Sequence, residues 1–137
     1  MKAIPAVGIV LLEKDSVLLV KHGPASGHIL GMYGLPAGKI DPGETGIYAA
    51  VRELFEETGL VTHEEDLVEL PKKYLSTILR KKGKETFYFT VFRCKKWSGK
   101  LRGSSETSPE WVRVDTLDTY TLLPNVREVI AISSVLK

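Results

Sequence analysis

Residues 38–60, GKIDPGETGIYAAVRELFEETGL, constrain the fold more than any other part of the chain. They specify a loop, a helix and a stop. Pro42-Gly43 reads as a turn. Over 45–58, Ile47, Ala50, Val51 and Leu54 recur at helical spacing and make one apolar stripe. Gly59 is placed to end the helix in a left-handed conformation. One side of this helix must therefore be anchored in a core. On the other, Glu56 and Glu57 lie three and four residues beyond Glu53, so three carboxylates share a face. At about 100° per residue, their centre lies roughly 115° from that of the stripe. Arg52 is the one basic residue between Thr45 and Leu60, and it is expected to point partly away from the acidic face. Like charges so spaced cost a few tenths of a kcal/mol per pair. A hard divalent cation reverses that cost, since Mg²⁺ is commonly held by one or two carboxylates plus substrate phosphates. On the three glutamates alone, a solvated acidic face and a metal-holding face both stay open.

The remaining elements place this helix. The chain has 137 residues and no internal repeat or dividing linker, so residues 1–137 are expected to form one domain. Apolar runs at 3–12 and 16–21 flank Glu13-Lys14-Asp15 and read as a hairpin rather than a signal peptide. A Gly- and Pro-broken loop follows, with a short strand near Leu35. After the helix, 67–70 reads as a strand, and 74–80 and 86–94 as a long hairpin around Lys81-Lys82-Gly83-Lys84. Residues 97–108 read as loop and 111–114 as a short strand. Val126, Val129, Ile130 and Ser133 give a last helix its inner face. The fold class is α/β, with helices packed against a mixed sheet. A formal net charge of +2 carries no duplex-binding stripe, so nucleic acid is not an expected partner. No run approaches the roughly 20 apolar residues of a membrane span. The lone Cys94 reads as a buried, inert thiol, and a cytoplasmic location is expected.

The spacing of residues 38–60 carries a resemblance. It runs Gly38, five residues, Glu44, seven residues, Arg52-Glu53-Leu54, one residue, Glu56-Glu57, one residue, Gly59-Leu60. This resembles the Nudix box, the signature of the Nudix hydrolases, at every fixed position. Seven specified residues coincide by chance on the order of once in 10⁸ starts. The resemblance implies the Nudix fold, a mixed β-sheet sandwiched between helices, and Mg²⁺-dependent hydrolysis of a nucleoside diphosphate linked to another group. Mn²⁺ is a possible substitute. By the same resemblance Glu53, Glu56 and Glu57, with Gly38, form the metal site, and Arg52 joins them in catalysis while Glu44 fixes the box loop through it. The lead-in GLPAGK is similar to that of the family, with Ala37 where a glycine is usual, and its Lys39 is placed with the substrate-binding residues.

The tail, LLPNVREVIAISSVL, resembles the last helix of MutT-type members, which hydrolyse nucleoside triphosphates to the monophosphate and pyrophosphate. In them an Asn at that helix's start contacts the base, so Asn125 either reads the base, caps the helix, or both. Lys21 matches a basic residue near the phosphates or is a solvated strand end. Two carboxylates, Glu106 and Glu110, are candidates for a general base beyond the sheet, and Glu110, directly before Trp111, is preferred. Tyr33, Tyr74, Phe87 and Tyr88 are candidates to stack a base, while His22, His28 and His63 read as surface or loop residues. ADP-ribose and dinucleoside polyphosphates are the alternative substrates, although Pro71 and Tyr74 fall near, not on, the positions those branches use. A non-catalytic nucleotide sensor is the reading from another class. The retained glutamates argue against it. A nucleotide substrate is the expected partner, in a monomer or homodimer.

Overall fold

A computed structural model describes residues 2–22, 31–104 and 107–135. The apolar runs flanking the first charged turn form β1 (Ile4–Glu13) and β2 (Ser16–His22). The Gly/Pro-broken stretch contributes β3 (Tyr33–Gly34) and β4 (Ala37–Lys39) on either side of Leu35-Pro36, and leads into α1 (Gly46–Thr58). Next come β5 (Leu67–Glu69), then β6 (Tyr74–Arg80) and β7 (Gly83–Cys94) as the expected hairpin, then β8 (Thr107–Arg113) and α2 (Val126–Val135). β8 corrects the expected 111–114 strand. It begins at Thr107, inside the stretch expected to be loop for its Ser, Gly and Thr content; β8 pairs with β2 alone among the described strands, and such an edge strand tolerates Pro109.

The hairpin of β1 and β2 is joined only at its base, Leu12 to Val17 and Glu13 to Ser16. Beyond that point the strands fork. β1 runs parallel to β7 from Ile4↔Phe87 to Leu11↔Cys94, and takes β4 on its other edge through Ala6↔Lys39 and Gly8↔Ala37. β2 leaves to pair with β3 and β8. Ile9 N–H donates to the Pro36 carbonyl at 2.9 Å and holds the strand pair apart at the fork. Together the described strands make one mixed sheet of eight, with β5 and β6 both on the outer edge of β7.

The period-2 alternation of β1 sends side chains to two cores. Val7, Ile9 and Leu11 meet Ala49, Ala50 and Leu54 of α1, with Ile47 and Val51 packed at its margin. Val10 meets Val126, Val129 and Ile130 of α2, along with Val17, Leu19 and Val112. Helices thus cover both faces of the mixed sheet. Cys94 is buried in the α1 core, its thiol facing Thr62 Oγ1 at 3.2 Å, and burial pushes that thiol above its usual range. Among the described residues no helix is long and apolar enough to cross a membrane.

Candidate active site

Local chemistry seats α1. Thr45 caps it, its hydroxyl accepting from Tyr48 N–H at 3.2 Å, and Gly59 ends it at φ 80°. Ahead of the cap, Asp41 N–H donates to Glu44 Oε1 at 2.8 Å. Arg52 then forks onto the same carboxylate, Nε to Oε2 at 2.6 Å and Nη2 to Oε1 at 2.7 Å. Nη2 also donates to the Lys39 carbonyl at 3.1 Å. One guanidinium therefore ties the helix to its entry turn and to β4. Its other nitrogen, Nη1, donates to Glu53 Oε1 at 2.7 Å and Glu56 Oε1 at 3.0 Å. This corrects the expectation that Arg52 points partly away: its flexible stem lays the cation across the acidic face and offsets the repulsion there.

The carboxylates differ in environment. Glu53 is largely buried, and burial pushes its carboxyl above the ordinary glutamate value even though Arg52 pulls the other way. Hydrogen bonding from Arg52 holds Glu44 below its ordinary value. Glu53 lies against Gly38 so closely that a Cβ there would overlap its carboxylate. Gly38 is thus required by side-chain approach, not by a positive φ. Glu57 accepts from Ala37 N–H at 2.7 Å. Ala37 sits in strand backbone without positive φ, so its methyl is accommodated and the amide it offers Glu57 is the one a glycine would offer.

These groups open onto a cleft at the fork. Its polar end, about 220 Å³, is lined by Gly38, Lys39, Glu53, Glu57, His22 and Arg80 among others. Its apolar end, about 50 Å³, is lined by Tyr74, Ser76, Val91, Pro124, Asn125 and Val129 among others. Leu35, Ala37, Ile78, Phe89 and Leu123 line both, so the two ends adjoin.

A family model for the NUDIX domain matches residues 2–131 of this chain. The chain belongs to the Nudix family. It is similar at 28% identity over 131 residues, 92% of each chain, to the 8-oxo-dGTP diphosphatase of Escherichia coli (strain K12). Among solved structures, a MutT NUDIX hydrolase from Burkholderia pseudomallei superposes with a TM-score of 0.76 at 24% identity, covering 99% of this chain and 100% of that one. The NUDIX domain of Shewanella oneidensis NrtR, in complex with ADP ribose, superposes with a TM-score of 0.75 at 19% identity, covering 98% and 88%. At these identities the two structures attest the fold. The chain is a Nudix hydrolase acting on a nucleotide diphosphate linkage.

The Nudix helix and its loop bring Gly38, Lys39, Arg52, Glu53, Glu56 and Glu57 together, with Glu53, Glu57, Gly38 and Lys39 lining the cleft. Two expected residues are not brought there. In the β2–β8 register Lys21 and Glu110 lie on the face of Leu19, the α2 side, because Leu19 pairs with Glu110. Lys21 stands over the Tyr33 ring, 6.0 Å from its centroid, and burial together with the nearby Glu110 holds the Tyr33 phenol above its ordinary pKa. The alternation instead turns His22 toward the cleft. His22 is buried, which corrects its reading as a surface residue. The competing Glu106 and His28 lie outside the described residues. Asn125 is in place at the apolar end, but its carboxamide donates to Ser76 Oγ at 2.6 Å and the Leu75 carbonyl at 3.4 Å rather than to its helix. Of the candidate stacking rings, Tyr74 lines the apolar end and Phe87 the polar end, while Tyr88 is largely exposed and Tyr33 packs edge-on against Tyr120. Arg80 was missed because a cation before a Lys-rich turn reads as turn surface. Only the inward alternation of β6 could have flagged it.

Proposed function

We propose that this Nudix hydrolase cleaves a nucleoside triphosphate to the monophosphate and pyrophosphate, as a Mg²⁺-dependent, MutT-like pyrophosphohydrolase. The observation that carries the reading is the cleft itself: a carboxylate-lined end adjoining an apolar end lined by Asn125 and Ser76. A planar base suits the apolar end and a phosphate chain the polar one. The 28%-identical relative, named an 8-oxo-dGTP diphosphatase, supports the same class.

The donor set suits a hard cation. Glu53 and Glu57 line the cleft, Glu56 adjoins them, and all present carboxylate oxygens. Burial of Glu53 beyond what Arg52 compensates leaves a carboxylate that a further positive charge favours. Among the described residues no three His, Cys, Asp or Glu side chains form a ready cage. Mg²⁺ takes one or two carboxylates and completes its shell from substrate phosphate and water. Glu53, Glu56 and Glu57, with the Gly38 backbone, are the proposed site, and Mn²⁺ the proposed substitute. When bound, the metal supplies charge neutralisation on the phosphates and a more acidic water. The protein's own part is positioning. Glu44 fixes Arg52, Arg52 fixes Glu53 against Gly38, Ala37 N–H fixes Glu57, and Lys39 flanks the phosphate path.

A panel of nucleoside triphosphates, ADP-ribose, dinucleoside polyphosphates and capped RNA, with Mg²⁺ and product separation, tests the reading. Monophosphate plus pyrophosphate from a triphosphate is expected, together with loss of turnover in Glu57→Gln. Preferred release of AMP from ADP-ribose would overturn the substrate class. Tight binding without turnover would make the protein a sensor.

A further inference from the structure

We propose that Arg80 selects substrates with a phosphate chain longer than a diphosphate, by binding the phosphate farthest from the base. This rests on the triphosphate reading above. β6 runs along the whole cleft and serves as its ruler. Its alternation turns Tyr74, Ser76, Ile78 and Arg80 inward, in that order. Tyr74 and Ser76 line the apolar end, Ile78 lines both ends, and Arg80 lines the polar end with Glu53 and Glu57. Ser76 also holds Asn125 at 2.6 Å. From Ser76 to Arg80 the strand advances roughly 13 Å at about 3.3 Å per residue, so one strand spans base and phosphate ends.

The chemistry of Arg80 fits an anion. Its side chain is 21% exposed, and it lies against the Phe87 ring, 5.9 Å from the centroid. Its Nη1 pairs with Glu85 Oε1 at 3.1 Å, and Glu85 is itself 37% exposed. A half-solvated carboxylate is a weak partner. A phosphate offers a guanidinium bidentate hydrogen bonds and more charge, so substrate can share or displace Glu85. Arg80 is also the first of four cations in Arg80-Lys81-Lys82-Gly83-Lys84, the hairpin tip that carries it. The carboxylates attract phosphate only through a metal, whereas Arg80 attracts it directly, so the two elements act on different parts of the chain.

The test measures steady-state kinetics for GTP and ADP-ribose, and calorimetric binding of the α,β-methylene analogue of GTP, in Arg80→Gln, Arg80→Lys and Glu85→Gln. For Arg80→Gln, KM and Kd for the triphosphate should rise about tenfold or more, the loss of one charge-assisted hydrogen bond, with kcat within about twofold. Arg80→Lys should recover part of the loss, and ADP-ribose should be affected far less. Glu85→Gln should leave KM for GTP no higher than wild type. A rise in Glu85→Gln equal to that in Arg80→Gln would make the ion pair structural and overturn the assignment. Unchanged KM and Kd in Arg80→Gln, in an enzyme that turns over GTP, would overturn Arg80 alone. Wild-type turnover confined to ADP-ribose would overturn the triphosphate reading and the selectivity of Arg80 together.

Discussion

A single methyl group at Gly38 should disable this enzyme while barely unfolding it. The glycine has no positive φ, so alanine adds no backbone strain. Its Cβ would overlap the Glu53 carboxylate, and since that group ends a flexible side chain, Glu53 swings out. Doing so breaks the 2.7 Å hydrogen bond from Arg52, worth about 1.5–3 kcal/mol for a charged pair. The carboxylate also regains water, which recovers part of the burial cost that raises its pKa. The net loss of stability in Gly38→Ala should therefore be only about 1 kcal/mol. Activity responds to position instead, and displacing a group at the reacting centre by an ångström costs about 10²-fold. The assay is a double-mutant cycle with Glu53→Ala, read by thermal melts and by kcat at saturating Mg²⁺. With the carboxylate gone, Gly38→Ala should cost almost nothing further in either readout. Equal destabilisation in both backgrounds would refute the close-approach argument, as would wild-type kcat in Gly38→Ala alone.

Three further outcomes are expected. Glu110→Gln should keep kcat within about threefold, because Glu110 shares the face of Leu19 and does not line the cleft; a loss of tenfold or more, a cautious fraction of the about 10²–10⁴ for a positioned acid–base group, would return it to the site. Asn125 has φ 69°, so Asn125→Gly should keep the backbone and lose the carboxamide, raising KM for the preferred nucleotide by about tenfold. Asn125→Ala should melt lower still, since a Cβ in that conformation costs roughly 1–2 kcal/mol, and equal melting of the two variants would rule out that strain. Glu44 has a lowered pKa, so its stabilisation is present above the ordinary value of 4.5 and is lost as pH falls through the lowered one. The melting gap between wild type and Glu44→Gln should accordingly close as pH drops below that value, and a gap that widens would contradict the sign.

The helix near residues 45–58, its stop and its acidic face were legible in the sequence because they depend on spacing along one element. So were the hairpin of β6 and β7, from its charged turn and its aromatic and β-branched content, and the inner face of α2, from helical periodicity. The spacing of the box carried the family resemblance, and the resemblance implied the link between Glu44 and Arg52. Tertiary structure decided which residues from other elements meet that face. Lys21 and His22 are neighbours in sequence, but strand pairing sends one to each side of the sheet, and a shift of one residue would exchange them. Glu110 was placed by its neighbour Trp111, yet its register with Leu19 decides its side. Arg80 reached the cleft only because β6 folds across it, and Arg52 reached Glu53, its neighbour in sequence, only through its side-chain torsions, whereas its approach to Glu56 follows from the spacing of four. A local pattern specifies what an element is. Register and the fork between β1 and β2 specify what it faces, because both depend on partners distant in sequence.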